Sequence, residues 1–211
     1  MSRISSTHPK TFPTYKPATV HHQISTLMTL LALSLTLTLT SGCKADVVHQ
    51  RSVAELNQKA QIMMQSGDYD GAVSRLEAAH DLDPAEPNTT YNLAVAYQVK
   101  GDYPRAIAIF NQLIEKPGPD NSPMSAPQIH KAMGITYEAE ADQLEASAKS
   151  MEDTPKGDKA KAHQLHHDST VALQEALMHY QKALTGVKDV QAISTQIQSI
   201  ESKLKKADSG V

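Results

Sequence analysis

Tryptophan is absent from this 211-residue chain, phenylalanine occurs twice and cysteine once. The single thiol, Cys43, excludes an intramolecular disulfide and a multi-cysteine zinc site. With so little aromatic area and plentiful Ala, Leu, Gln and charged residues, the composition is helix-rich. An excess of positive charge is also missing. Residues 1–42 carry Arg3, Lys10 and Lys16 and no acidic residue, so without them 17 Lys+Arg face 23 Asp+Glu, a net charge of −6. Such a balance argues against nucleic acid, whose phosphates need a basic face. Catalytic signatures are lacking too: the chain has no H-E-x-x-H, no G-x-S-x-G and no Gly-rich phosphate loop. The expectation is a protein that is not an enzyme and needs no cofactor.

What the chain does contain is a repeat. Gly67-Asp68-Tyr69-Asp70-Gly71-Ala72-Val73 returns 34 residues later as Gly101-Asp102-Tyr103-Pro104-Arg105-Ala106-Ile107. The register extends outward, with Ala60, Gly67, Tyr69, Ala72 and Leu76 mapping onto Ala94, Gly101, Tyr103, Ala106 and Phe110. That period is the mark of stacked helical hairpins. Ala60 and Ala94 carry only a methyl group, which lets a second helix approach closely. Gly67 and Gly101 stand where a helix must end in a left-handed residue. Asp68 and Asp102 are placed to accept hydrogen bonds from the N–H groups opening the next helix. Leu76 and Phe110 fill the space between repeats, each contributing about 1.5–3 kcal/mol when buried. A single hairpin cannot bury both faces, so about three repeats are needed for stability.

These positions resemble the tetratricopeptide repeat (TPR), in which a small residue, a turn Gly, an aromatic, an Ala, a large apolar residue and a following Pro recur. Pro84 fills the last place. The resemblance implies an all-α fold, a short TPR-like α-solenoid of two regular helical hairpins, one elongated divergent hairpin and a C-terminal capping helix.

The N-terminal segment has a different logic. Residues 1–23 are polar with three basic side chains, and from Ile24 to Thr40 no charge interrupts a Leu-rich run. These are the n- and h-regions of a secretory signal. The run is short for a membrane span of about 20 residues, and Leu-Met-Thr-Leu-Leu-Ala-Leu breaks the alternation of a strand. It ends in Leu39-Thr40-Ser41-Gly42-Cys43, which resembles a bacterial lipobox, with Thr40 where that pattern prefers Leu. The resemblance implies that Cys43 receives diacylglycerol and becomes the acylated N-terminus after cleavage. Lys44, in place of Asp, implies sorting to the outer membrane, facing the periplasm. Several acyl chains, at about 0.8 kcal/mol per buried CH₂, make such attachment effectively permanent.

The expected segments are a lipoprotein signal peptide (1–42), a polar tether (43–51), a first repeat (52–86), a second repeat (87–120), a divergent elongated hairpin (121–187) and a capping helix (188–207). Helices are predicted over about 52–66, 69–82, 88–100, 103–115, 125–151, 159–185 and 189–207. In the third unit Gly134 and Tyr137 stand like Ala94 and Tyr97, while Ala176, Tyr180 and Ala183 repeat the pattern of the second helix. The stripe Ile129, Met133, Tyr137, Ala141, Leu144 and Ala148 predicts a long hairpin arm between them. In the last helix Val190, Ile193, Ile197, Ile200 and Leu204 form an a/d seam. It suits a cap on the stack or self-association through 188–207 as a coiled coil.

A TPR stack binds through the face lined by the first helix of each hairpin. By register that face holds Asn57, Gln61, Met64 and Gln65 from the first repeat and Asn88, Tyr91, Asn92, Val95, Gln98 and Val99 from the second. TPR proteins that clamp a terminal carboxylate use Lys, Asn and Arg, of which only Asn92 has a counterpart here. The expected partner is therefore a protein or peptide held through apolar and amide groups; the other reading is that some of these side chains pack on the arm. His163, His166 and His167 share one side of a helix, with Asp168 or Glu145 as possible completing ligands. They read as a metal site or as a solvated helix face.

Overall fold

The computed structural model describes residues 48–120, 122–186 and 188–209. The signal segment, Cys43 and most of the expected tether lie outside the described residues. Seven helices and no strand occur among those described: α1 (48–65), α2 (Tyr69–Leu82), α3 (Pro87–Lys100), α4 (Tyr103–Glu115), α5 (Ala126–Glu152), α6 (Lys159–Ala183) and α7 (Val190–Ser209). From α2 onward each helix packs on its neighbour in sequence. None of the described helices is long and apolar enough to cross a membrane.

The repeated turn is built twice from the same bonds. At the end of α1, Gly67 has φ 81°, its N–H reaches Met64 O at 3.2 Å and Asp68 N–H reaches Met63 O at 2.9 Å. At the end of α3, Gly101 has φ 86°, with bonds to Gln98 O at 3.0 Å and from Asp102 to Tyr97 O at 2.9 Å. Each turn thus satisfies carbonyls the helix leaves open. Asp68 and Asp102 then cap α2 and α4, accepting from Gly71 N at 2.9 Å and Arg105 N at 3.4 Å. A Cβ on Gly67 would meet nothing within 4 Å, so backbone conformation, not space, demands glycine there.

Ala60, Ala72, Leu76, Ala94, Ala106 and Phe110 are all buried in one core with Tyr97, Ile129 and Met133. On the opposite side of the hairpins, Tyr97 OH donates to Glu77 and accepts from Arg105 Nη1 at 3.2 Å, with the guanidinium 4.4 Å from the ring centre. The outer face of α1 differs from that of α3 at matching register. Glu55 and Lys59 are exposed, whereas Thr89 and Leu93 are buried.

The third unit is a long antiparallel hairpin, α5 against α6. Gly134, Ala141 and Ala148 on one helix and Ala162, Ser169, Ala176 and Ala183 on the other recur every seventh residue and are buried. Small side chains on both sides bring the backbones close enough for Ser169 Oγ to donate to Ala141 O at 2.9 Å. A methyl on Gly134 would stand 2.8 Å from the Tyr180 ring, so hydrogen at this position makes room for that ring. Of the stripe read from the sequence, Ile129, Met133, Ala141 and Ala148 are buried and Tyr137 and Leu144 half-buried.

The seam of α7 is occupied within the chain. Ile193 and Ile200 are buried against Leu173, Ala176 and Tyr180, with Ile197 and Leu204 packed beside them. Lys203 Nζ reaches Glu138 Oε1 at 3.2 Å and Asp142 Oδ1 at 2.8 Å. The helix caps the hairpin with Ile193, Ile197, Ile200 and Leu204, while Val190 at its start is exposed. Other boundaries agree with the sequence reading to within two residues, but α1 is already helical at residue 48. Nothing in Val48-His49-Gln50-Arg51 breaks a helix, so α1 runs through these residues before its first buried side chain, Val53.

Gly67→Ala and Gly101→Ala are each expected to lower stability by about 1–2 kcal/mol, the cost of a left-handed non-glycine residue, read as a lower urea midpoint. Gly67→Asn is expected to lose less. A second test concerns His179, buried on α6 with its Nδ1 2.9 Å from Nδ1 of His130 and its ring stacked on Tyr137. Burial, then His130 and Lys182, depress its pKa to about 4. An unfolded histidine titrates near 6.5, so this contribution is complete above that pH and is lost as pH falls toward 4. Between pH 7.5 and pH 5 the loss is about 2 kcal/mol. A His179→Phe variant is expected to lose correspondingly less stability than the wild type over that interval.

Candidate partner-binding groove

Stacking one hairpin on the next sets α1 beside α3 and leaves a groove of about 710 Å³ between them. That size lies within the usual range of ligand clefts, about 300–1,000 Å³. Ala60 and Leu76 are its buried floor, and Met64 and Val95 add half-buried apolar surface. Six residues chosen by register line it: Asn57, Gln61, Met64, Asn88, Asn92 and Val95.

The other four do not line this groove. Gln65 and Val99 are exposed and Gln98 half-buried. Tyr91 turns inward, meeting Phe110 edge-on with ring centres 5.8 Å apart and planes at 65°. Burial raises the Tyr91 phenol pKa, as expected for a hydroxyl drawn away from water. Tyr91 thus contributes packing within the second repeat. Ile135 follows Gly134 as Val95 follows Ala94, and it is 40% exposed.

Amides join the two helices. Asn57 Nδ2 donates to Val53 O at 3.0 Å and to Thr89 Oγ1 at 2.7 Å, and Asn92 Nδ2 donates to Asn57 Oδ1 at 3.3 Å. Both amide hydrogens of Asn57 are therefore used within the fold, and what it offers an incoming group is acceptor capacity.

Sequence reasoning missed one end of the groove. Gln50 lines it because α1 begins early, Val53, Ala54 and Gln58 line it from the helix already expected there, and Asp83 and Glu86 enter from the α2–α3 turn. Glu86 caps α3, accepting from Thr89 N at 2.5 Å and Asn88 Nδ2 at 2.8 Å. Burial works against its charge, but these hydrogen bonds outweigh it and hold the carboxyl pKa below its ordinary value. Asp83 Oδ1 accepts from Ala85 N at 3.1 Å. The signal for these residues was present as Asp-Pro-Ala-Glu-Pro, a turn followed by a helix start. Its place in the groove needed the fold.

The arm histidines do not converge. His166 Nδ1 lies 2.7 Å from Glu145 Oε2 and its Nε2 3.3 Å from Glu152 Oε1, while His163 and His167 are exposed. The hairpin register does bring Glu145 to His166, as an ion pair. The hydrogen bond that His166 donates to Glu145 is the largest influence and raises the His166 pKa against the effect of burial. Among the described residues no group of three or more His, Cys, Asp or Glu is arranged to hold a metal ion. What the groove can do is hold another chain by apolar contact and hydrogen bonds.

Residues 63–125 match the family model of the tetratricopeptide repeat, from the last turn of α1 to the residue before α5. No curated protein and no solved structure matches the chain. The segment 63–125 is thus similar to tetratricopeptide repeats, and the described residues form a short, all-α, TPR-like solenoid.

Proposed function

We propose that this protein is a membrane-anchored scaffold of the bacterial cell envelope that holds a protein partner along the α1–α3 groove and performs no chemistry itself. The groove carries the reading: an apolar floor, amide walls and a volume of about 710 Å³ suit a peptide segment. A TPR region favours the same role, because stacked hairpins leave one curved face uncovered by their own core. The anchor rests on the sequence Leu39-Thr40-Ser41-Gly42-Cys43 after a charge-free run. Acylated Cys43 would tether the solenoid through the residues leading into α1. Lys44 favours the outer membrane, with the groove facing the periplasm and serving assembly of an envelope complex.

Labelled palmitate is expected to enter the wild type in a bacterial host and to be absent from Cys43→Ser; equal labelling of both removes the anchor. For the groove, a photo-crosslinking amino acid at position 61 or 95 is expected to trap a discrete partner in native envelopes. The same group at exposed Gln181 on α6 is expected to trap none. Indistinguishable products from the three positions would sink the assignment of this face.

A further inference from the structure

The charge of the groove narrows what fits it. Among the described lining residues there is no Lys, Arg or His, and the two ionised groups are Asp83 and Glu86, both in the α2–α3 turn at the end where Gln50 and Val53 lie. The polar groups held by internal bonds offer acceptors. Asn57 has spent both amide hydrogens, and carboxylates are acceptor-only, with about four lone-pair sites each that the cap and turn bonds do not exhaust. Glu86 stays ionised because its hydrogen bonds outweigh the cost of its burial. Gln58 and Gln61 are exposed amides that rotate to suit a peptide backbone.

We infer that the groove selects a segment bearing Lys or Arg, its apolar and amide side chains along Met64 and Val95 and its cation at Asp83 and Glu86. This rests on the groove being the partner site, and it adds the partner's chemistry. A carboxylate-bearing segment would bring like charge to the same end and find no cation along the walls.

The test uses the full chain in detergent and three labelled peptides of about 12 residues. They share a Leu/Val/Gln background and carry Lys-Arg, Gln-Gln or Glu-Glu at the centre, with binding read by fluorescence anisotropy. The Lys-Arg peptide is expected to bind about tenfold more tightly than the Gln-Gln peptide, and the Glu-Glu peptide more weakly than either. The preference should shrink several-fold when salt is raised from about 0.05 M to about 0.5 M. In Asp83→Asn/Glu86→Gln, which keeps an acceptor at each cap, the Lys-Arg and Gln-Gln affinities should converge on the wild-type Gln-Gln value. Should that variant lose helicity, Gln61→Lys, which sets a cation in the groove itself, is expected to weaken the Lys-Arg peptide several-fold more than the Gln-Gln peptide and so to erase the preference. Equal binding of the first two peptides to the wild type, a preference that survives these substitutions, or binding of none of the three overturns the inference. If the peptides bind without charge preference while crosslinking from position 61 or 95 succeeds, the groove remains the partner site and only its selectivity for cations fails.

Discussion

Among the described helices, close contacts are made at positions where one helix carries a methyl group or less. Ala60 and Ala94 meet that condition in the regular hairpins, and Gly134, with Tyr180 directly against it, meets it in the third. Every other feature of the stack depends on this closeness. Leu76 and Phe110 reach across the gap between hairpins because the gap is narrow, and the hydrogen bond from Ser169 to the Ala141 backbone exists because the arm's two helices nearly touch. Interiors pack at crystal-like density, so a larger residue at such a point displaces a whole element and not just its immediate neighbour.

The same economy decides where binding surface is left over. Each hairpin commits its small and large apolar residues to its neighbours, and the arm commits α5 and α6 to each other and to α7. What remains uncovered is the side of α1 and α3 that faces away from the second helices. Its amides are partly used to bind those two helices together, through Asn57, Thr89 and Asn92. The groove is thus held in shape by its own polar residues. A surface held in this way loses less entropy on binding than one that must first be ordered.

Histidines show how context divides one residue type. His179 is enclosed between helices and kept neutral, while His166 lies between two carboxylates near the end of the arm and is pushed toward the charged form. The sequence singled out the second group, for its spacing on one helix face. The His130–His179 pair is not apparent in the sequence because its members are 49 residues apart and meet only when the hairpin closes.

Helix content, the glycine turns and the aspartate caps were legible directly, because each depends on residues within one turn of the chain, and the 34-residue period was legible as the recurrence of those same residues. Gly134 as the counterpart of Ala94, and Tyr180 as part of the second helix's pattern, were legible by alignment to the repeats before them; that the two face each other came with the fold. Six of the ten residues read from register line the α1–α3 groove. Tyr91 does not, since a side chain on the border between two faces goes wherever Phe110 leaves room. Nor was the role of α7 decided by its stripe, which suits a cap and a coiled coil equally until Leu173 and Tyr180 are seen to cover it. Local chemistry, then, determined the elements and their ends from sequence alone. The acidic end of the groove, the Glu145–His166 contact and the burial of the α7 seam were decided only by tertiary structure, because each is a meeting of residues that nothing short of packing brings together.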